Sequence, residues 1–101
     1  MTTKEYEDYV YSRCQSYTDA NYCVIALNEE AGEIAGWWKK HQLRGNPTGK
    51  LTVTDLKGEL GDVLFYLTRL SHHYGWTLEE IMNHNKAKLD DGVEKGMKQI
   101  A

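Results

Sequence analysis

Five acidic side chains fall into a pattern that could hold a cation. Glu29, Glu30 and Glu33 lie together, and Glu59 with Asp62 repeats the three-residue spacing of Glu30 and Glu33. At an offset of 29 residues the match extends beyond the acids: Leu27 falls on Leu56, Gly32 on Gly61, Ile34 on Val63 and Trp37 on Tyr66. On a helix, residues three apart share a face, so each acidic pair presents two carboxylates side by side, flanked by apolar neighbours that point to a core. If two such helices pack antiparallel, four carboxylates converge at the core margin, where only a cation relieves their repulsion. Oxygen ligands without histidine or cysteine suit Mg²⁺, with Mn²⁺ as a substitute, and Mg²⁺ commonly bridges carboxylates to phosphates. The implied chemistry is hydrolysis at phosphorus, with Glu29 or Glu30 as the base that orients a water. One acidic pair is ordinarily a solvated helix face, but two matched copies with matched neighbours argue for a site. Glycine inside a helix costs about 1 kcal/mol relative to alanine. Gly32 and Gly61 at equivalent places therefore imply close helix approach or room for a ligand.

Helical periodicity supplies the elements that must position these groups. A first helix is expected over 3–17, with Tyr6, Tyr9, Val10, Arg13 and Tyr17 on one packing stripe and Thr2 and Glu5 at capping-box spacing. A second is expected over 19–43, with Val24, Leu27, Ala31, Ile34 and Trp38 turned to the core. Gly45, Asn46, Pro47 and Gly49 make the following stretch a loop, and Thr52 with Asp55 caps the next helix. That third helix is expected over 54–74, with Leu56, Leu60, Val63, Leu64, Leu67 and Leu70 as its apolar face. Gly75 stops it, and Thr77 with Glu80 opens a fourth helix reaching residue 90. The tail after Gly92 is expected to be loose or ordered only against a partner. No segment alternates as a half-buried strand does. The expected fold is all-α, a four-helix bundle-like single domain spanning 1–101 and completed by a homodimer or homotetramer.

Composition narrows the function classes. The 101 residues suit one domain, and 12 basic against 15 acidic side chains leave a net charge of −3, with no field to attract a nucleic-acid polymer or an anionic membrane. No apolar run approaches the roughly 20 residues of a membrane span, so a cytoplasmic protein is expected. Cys14 and Cys23 lack the spacing of a zinc site or disulfide framework. The loop from Gly45 to Lys50 is one residue too short between its glycines for a phosphate-binding loop, lacks Ser or Thr after the lysine and follows no strand. No glutamate has a histidine three residues later, which excludes a ferritin-like di-iron centre and leaves His72, His73 and His84 as surface or supporting residues.

The run Glu29-Glu30-Ala-Gly-Glu33, followed after 25 residues by Glu59-Leu-Gly-Asp62-Val-Leu-Phe-Tyr66, resembles the MazG-like all-α nucleoside triphosphate pyrophosphohydrolases, over about 27–89. The resemblance implies Glu30, Glu33, Glu59 and Asp62 as Mg²⁺ ligands, with Glu29 nearby as ligand or base. Asn85 and Lys88 resemble the family's later Asn-x-x-Lys element, which contacts the nucleotide or its phosphates. The implied reaction splits a (deoxy)nucleoside triphosphate between its α and β phosphates, as nucleotide-pool housekeeping. Trp37 and Tyr66, on the carboxylate-bearing faces, are then candidates to border the base. Trp76 is a pocket wall or an interhelix wedge. One departure is that Asp90-Asp91-Gly92 stands where family members often carry an arginine; Lys40, Arg44 and Lys50 are the candidates to substitute at the far phosphates, although a basic residue in a loop is more often simply solvated. The competing readings are a phosphoribosyl-ATP pyrophosphatase, and a non-catalytic helical module that senses nucleotide or only oligomerises.

Overall fold

The computed structural model describes residues 1–13 and 20–94. Four α-helices follow one another: α1 (Thr3–Ser12), α2 (Ala20–Trp38), α3 (Val53–His73) and α4 (Leu78–Glu94). A single π-helical turn, Lys39–Leu43, extends α2. No strand occurs among the described residues, so the all-α expectation holds. The distal part of the expected first helix, with Cys14 and Tyr17, lies outside the described residues, as do Asp19 and the tail beyond Glu94.

Local chemistry accounts for the helix ends. Thr2 and Glu5 form a reciprocal capping box at α1, and Thr52 with Asp55 does the same at α3. Thr77 Oγ1 accepts from Glu80 N–H at 3.1 Å at the start of α4. Gly75, at φ 75°, supplies the left-handed residue that lets the chain turn between α3 and α4. In the α2–α3 connector, Asn46 takes φ 54° and its side chain both donates to the Leu51 carbonyl and accepts from the Leu51 N–H, at 2.9 and 3.2 Å.

α3 is the central element. α2 packs along it, while α1 packs on both α3 and α4, and α2 touches neither α1 nor α4 among the described residues. The Trp37 indole N–H donates to the Thr52 carbonyl at 3.0 Å, which ties the end of α2 to the start of α3. Glu7 is buried and accepts from the Leu78 N–H at 3.3 Å and the Tyr11 hydroxyl at 3.0 Å, so α1 caps α4 from across the chain. Thr68 and Ser71 are buried with their hydroxyls donating to the Leu64 and Leu67 carbonyls of their own helix.

The apolar faces depart from expectation in phase. The side of α2 turned to α3 carries Cys23, Ala26 and Trp37, all buried, with Leu27 and Ile34 half-buried. Trp38, expected in the core, is 50% exposed, and Val24 and Ala31 are also exposed. The reason is that α2 is apolar nearly all round, so its composition offers two stripes and the neighbouring helix covers only one. On α3, Leu56, Val63, Leu67 and Leu70 are half-buried, but Leu60 and Leu64 face outward. On α1, Val10 is fully buried and Tyr6 half-buried, whereas Tyr9 is exposed with Arg13 over its ring. No helix among the described residues is long and apolar enough to cross a membrane.

Candidate metal centre

Three of the predicted carboxylates meet. Glu30 of α2 and Glu59 and Asp62 of α3 each offer an oxygen, and these oxygens all lie within 4.8 Å of one another. The meeting follows from register: Glu30 sits between Ala26 and Ile34 on the side of α2 that faces α3, and Glu59 lies four residues before Val63 on the facing helix. Oxygens opposite each other around Mg²⁺ lie about 4.2 Å apart. Adjacent oxygens lie about 3 Å apart, so the three carboxylates would have to draw together for one cation to engage them all.

The acids act on one another electrostatically. The Glu30 carboxyl is raised above the ordinary carboxylate range, first by burial and then by the negative charges of Asp62, Glu59, Glu29 and Glu33. Tyr6, reaching in from α1, is raised by burial, by Tyr9 and by Asp62. Tyr66 is raised by burial, by its hydrogen bond and proximity to Tyr22 and by Glu30, with Arg69 acting in the opposite sense. No lysine or arginine forms a salt bridge with the cluster among the described residues.

The acids border a cleft of about 520 Å³ between α2 and α3, lined by Glu33, Trp37, Lys40, Asp55, Glu59 and Asp62 among others. Glu33 is therefore in the cleft but outside the three-carboxylate cluster, while Glu29 is exposed beside Glu30. Trp37 forms a fixed wall, stacked on His41 at a centroid distance of 4.4 Å. Lys40 stands in the π-helical turn, where the wider winding re-aims side chains at the cleft mouth. Gly36 and Gly58 line the same cleft, and a Cβ at either would meet no atom within 4 Å. The same openness at Gly32 and Gly61 excludes close helix approach as their purpose within one chain.

Asn85 borders a different, apolar cavity of about 480 Å³ with Tyr6, Leu64, Leu67, Ile81 and Met82. Lys88 is exposed on α4, which does not touch α2. One chain thus leaves Asn85 and Lys88 apart from the cleft, and Arg44 and Lys50 are exposed in the connector. Trp76 is half-exposed and stacks on Tyr74 at 5.0 Å instead of wedging helices apart. Three contributors escaped sequence reasoning. Tyr6 belongs to a packing stripe, Asp55 to a cap, and Arg69 counts in the sequence only as a basic residue that could pair with acids on a solvated helix face; only their three-dimensional neighbours set them apart.

Comparison with known proteins agrees with this geometry. The chain is 33% identical over 89 residues to the Gene 37 protein of Mycobacterium phage L5, the match covering 85% of this chain and 76% of that protein. No solved structure gives a significant match. The MazG nucleotide pyrophosphohydrolase domain matches residues 20–95, the span that carries α2, α3 and every acid of the cluster, and the chain belongs to that family.

Proposed function

We propose that the protein hydrolyses (deoxy)nucleoside triphosphates to the monophosphate and pyrophosphate in a Mg²⁺-dependent reaction, acting on the cytoplasmic nucleotide pool as a housekeeping enzyme. The observation that carries this reading is the convergence of Glu30, Glu59 and Asp62 on one point beside an open cleft, in a chain of this family. A bound Mg²⁺ would neutralise phosphate charge and acidify a water. Glu30, Glu59 and Asp62 would hold the cation, with Glu33 as a further candidate ligand from the cleft side. Glu29, or Glu30 itself, takes the proton of the attacking water. Trp37 walls the nucleoside, Tyr66 borders it from beside Glu30, and Lys40 faces the negative charge of the phosphates. Asn85 and Lys88 reach the substrate from a second subunit of a homodimer or homotetramer, since one chain keeps them apart from the cleft.

Pyrophosphate release measured against all common dNTPs and NTPs tests the reaction. Turnover of at least one of them is expected with Mg²⁺, a smaller or comparable rate with Mn²⁺, and none with excess chelator. Protein that binds Mg²⁺ and oligomerises yet releases pyrophosphate from none of them overturns the reading.

A further inference from the structure

The cleft that holds the acids does not end at Lys40. A second cavity, of about 250 Å³, adjoins it and is lined by Lys40, Arg44, Asn46, Pro47, Thr48 and Leu51. Lys40 and Leu51 border both cavities, so they mark the passage from one to the other. The walls of the second cavity are held by the connector's own bonds. The Arg44 N–H donates to the Lys39 carbonyl and the Asn46 N–H to the Lys40 carbonyl, both at 2.9 Å. The Asn46 side chain, in turn, clamps both backbone groups of Leu51. Arg44 is exposed to solvent, and neither it nor Lys40 forms an ion pair among the described residues.

Distance and size say which part of a nucleotide fits there. Arg44 follows Glu30 by nearly four helical turns, roughly 20 Å along the axis, and a long helical side chain bends back by about one turn. Phosphates engaged by a cation at the acids do not extend over the ~15 Å that remain, whereas a sugar and a base strung beyond the α phosphate do. The volume falls below the roughly 300–1,000 Å³ of sites that enclose a whole drug-sized ligand, so the cavity takes one part of a ligand. A base there meets the side chains of Pro47 and Leu51 and two groups that only donate, the Lys40 ammonium and the Arg44 guanidinium. Two adjacent acceptors on one edge distinguish guanine, whose O6 and N7 an arginine fork takes together, while adenine and cytosine turn an amino donor toward the same group. Asn46 is of the residue type that reads adenine, but its amide is committed to Leu51.

We propose that the connector pocket receives the nucleobase and selects guanine, with Arg44 donating to O6 and N7. The sugar then passes Trp37, Lys40 meets the phosphates at the junction of the two cavities, and Tyr66 borders the nucleoside only at its α-phosphate end. This rests on the proposed triphosphate reaction, but its test is separable from it. The kcat/KM for pyrophosphate release is compared across GTP, dGTP, ATP, dATP and the pyrimidine triphosphates for wild type, Arg44→Met and Arg44→Gln, and binding of GMP and AMP is measured by titration calorimetry. Wild type should favour guanine over adenine by roughly tenfold or more, and Arg44→Met should bring the ratio to within about threefold of one. Arg44→Gln should turn the preference toward adenine, because a glutamine amide pairs with N6 and N7. Binding of GMP against AMP should follow the same order in all three proteins. A wild type without preference for guanine, or a preference that both variants keep, overturns the proposal while leaving the reaction intact. An equal loss with every triphosphate, together with weaker binding of inorganic pyrophosphate, also overturns it, because Arg44 then holds phosphate. If wild type releases no pyrophosphate from any triphosphate, yet binds GMP over AMP and loses that preference in Arg44→Met, the base site stands and the reaction falls.

Discussion

Glu30 carries the tension of the acidic cluster, because its carboxyl is partly withdrawn from water and faces four other acids. An acid whose folded pKa is raised above its unfolded value near 4.5 binds its proton more tightly when folded. Its contribution to metal-free stability is therefore fully present below that value and is lost as pH rises through the folded pKa. Replacing Glu30 by Gln removes both the charge and the pH dependence. At neutral pH without metal, Glu30→Gln should gain about 0.5 kcal/mol after allowance for solvent screening, or about 2–4 °C in unfolding temperature. At pH 4 the two proteins should unfold together. With Mg²⁺ the order reverses: wild type is stabilised increasingly as pH rises and protons stop competing for the carboxylates, whereas Glu30→Gln gains little. Calorimetric scans of both proteins from pH 4 to 8, with and without Mg²⁺, check each part. A metal-free difference that does not grow with pH would remove the repulsion argument.

Among the elements, the link between α1 and α4 shows most clearly what can be tested apart from chemistry. Glu7 is 6% exposed, and its Oε2 accepts the first N–H of α4, which no intrahelical acceptor can reach. Glu7→Ala leaves that donor buried and unpaired, and should lower stability to urea by about 1–3 kcal/mol while pyrophosphate release by the folded fraction keeps its kcat. A loss below about 0.3 kcal/mol would mean that the donor finds water. This contact joins residues 71 positions apart and has no trace in the sequence. The three capping boxes and the Gly75 stop were legible, because each is a local device that reads the same in the chain and in space. The acidic repeat was legible for a related reason: helical spacing fixed which carboxylates share a face, and three of the four meet. The facing side of α2 was not legible, since Val24, Ala31 and Trp38 are as apolar as Cys23, Ala26 and Trp37 and only the position of α3 chooses between them. Nor was the π-helical turn at Lys39–Leu43, which no propensity marks and which sets where Lys40 stands.

At the scale of the whole molecule, the exposed apolar side chains are what the proposed homodimer or homotetramer would cover: Ile25 is 70% exposed, Trp38 50%, Leu60 53% and Leu64 41%, on the two helices that carry the acidic cluster. Sedimentation should therefore give twice or four times 11.6 kDa, and the unfolding temperature should rise with protein concentration, as mass action requires of coupled folding and assembly. Ile25→Glu combined with Trp38→Glu places charge on the uncovered side of α2 and should shift the mass toward one chain. If Asn85 and Lys88 act from a second subunit, that double variant also loses hydrolysis although every carboxylate remains. Mixing it with an excess of Glu59→Gln chains then separates the possibilities: recovered activity requires that an intact acidic cluster be completed by another chain's α4. A monomer that remains fully active would instead place the whole reaction within one chain.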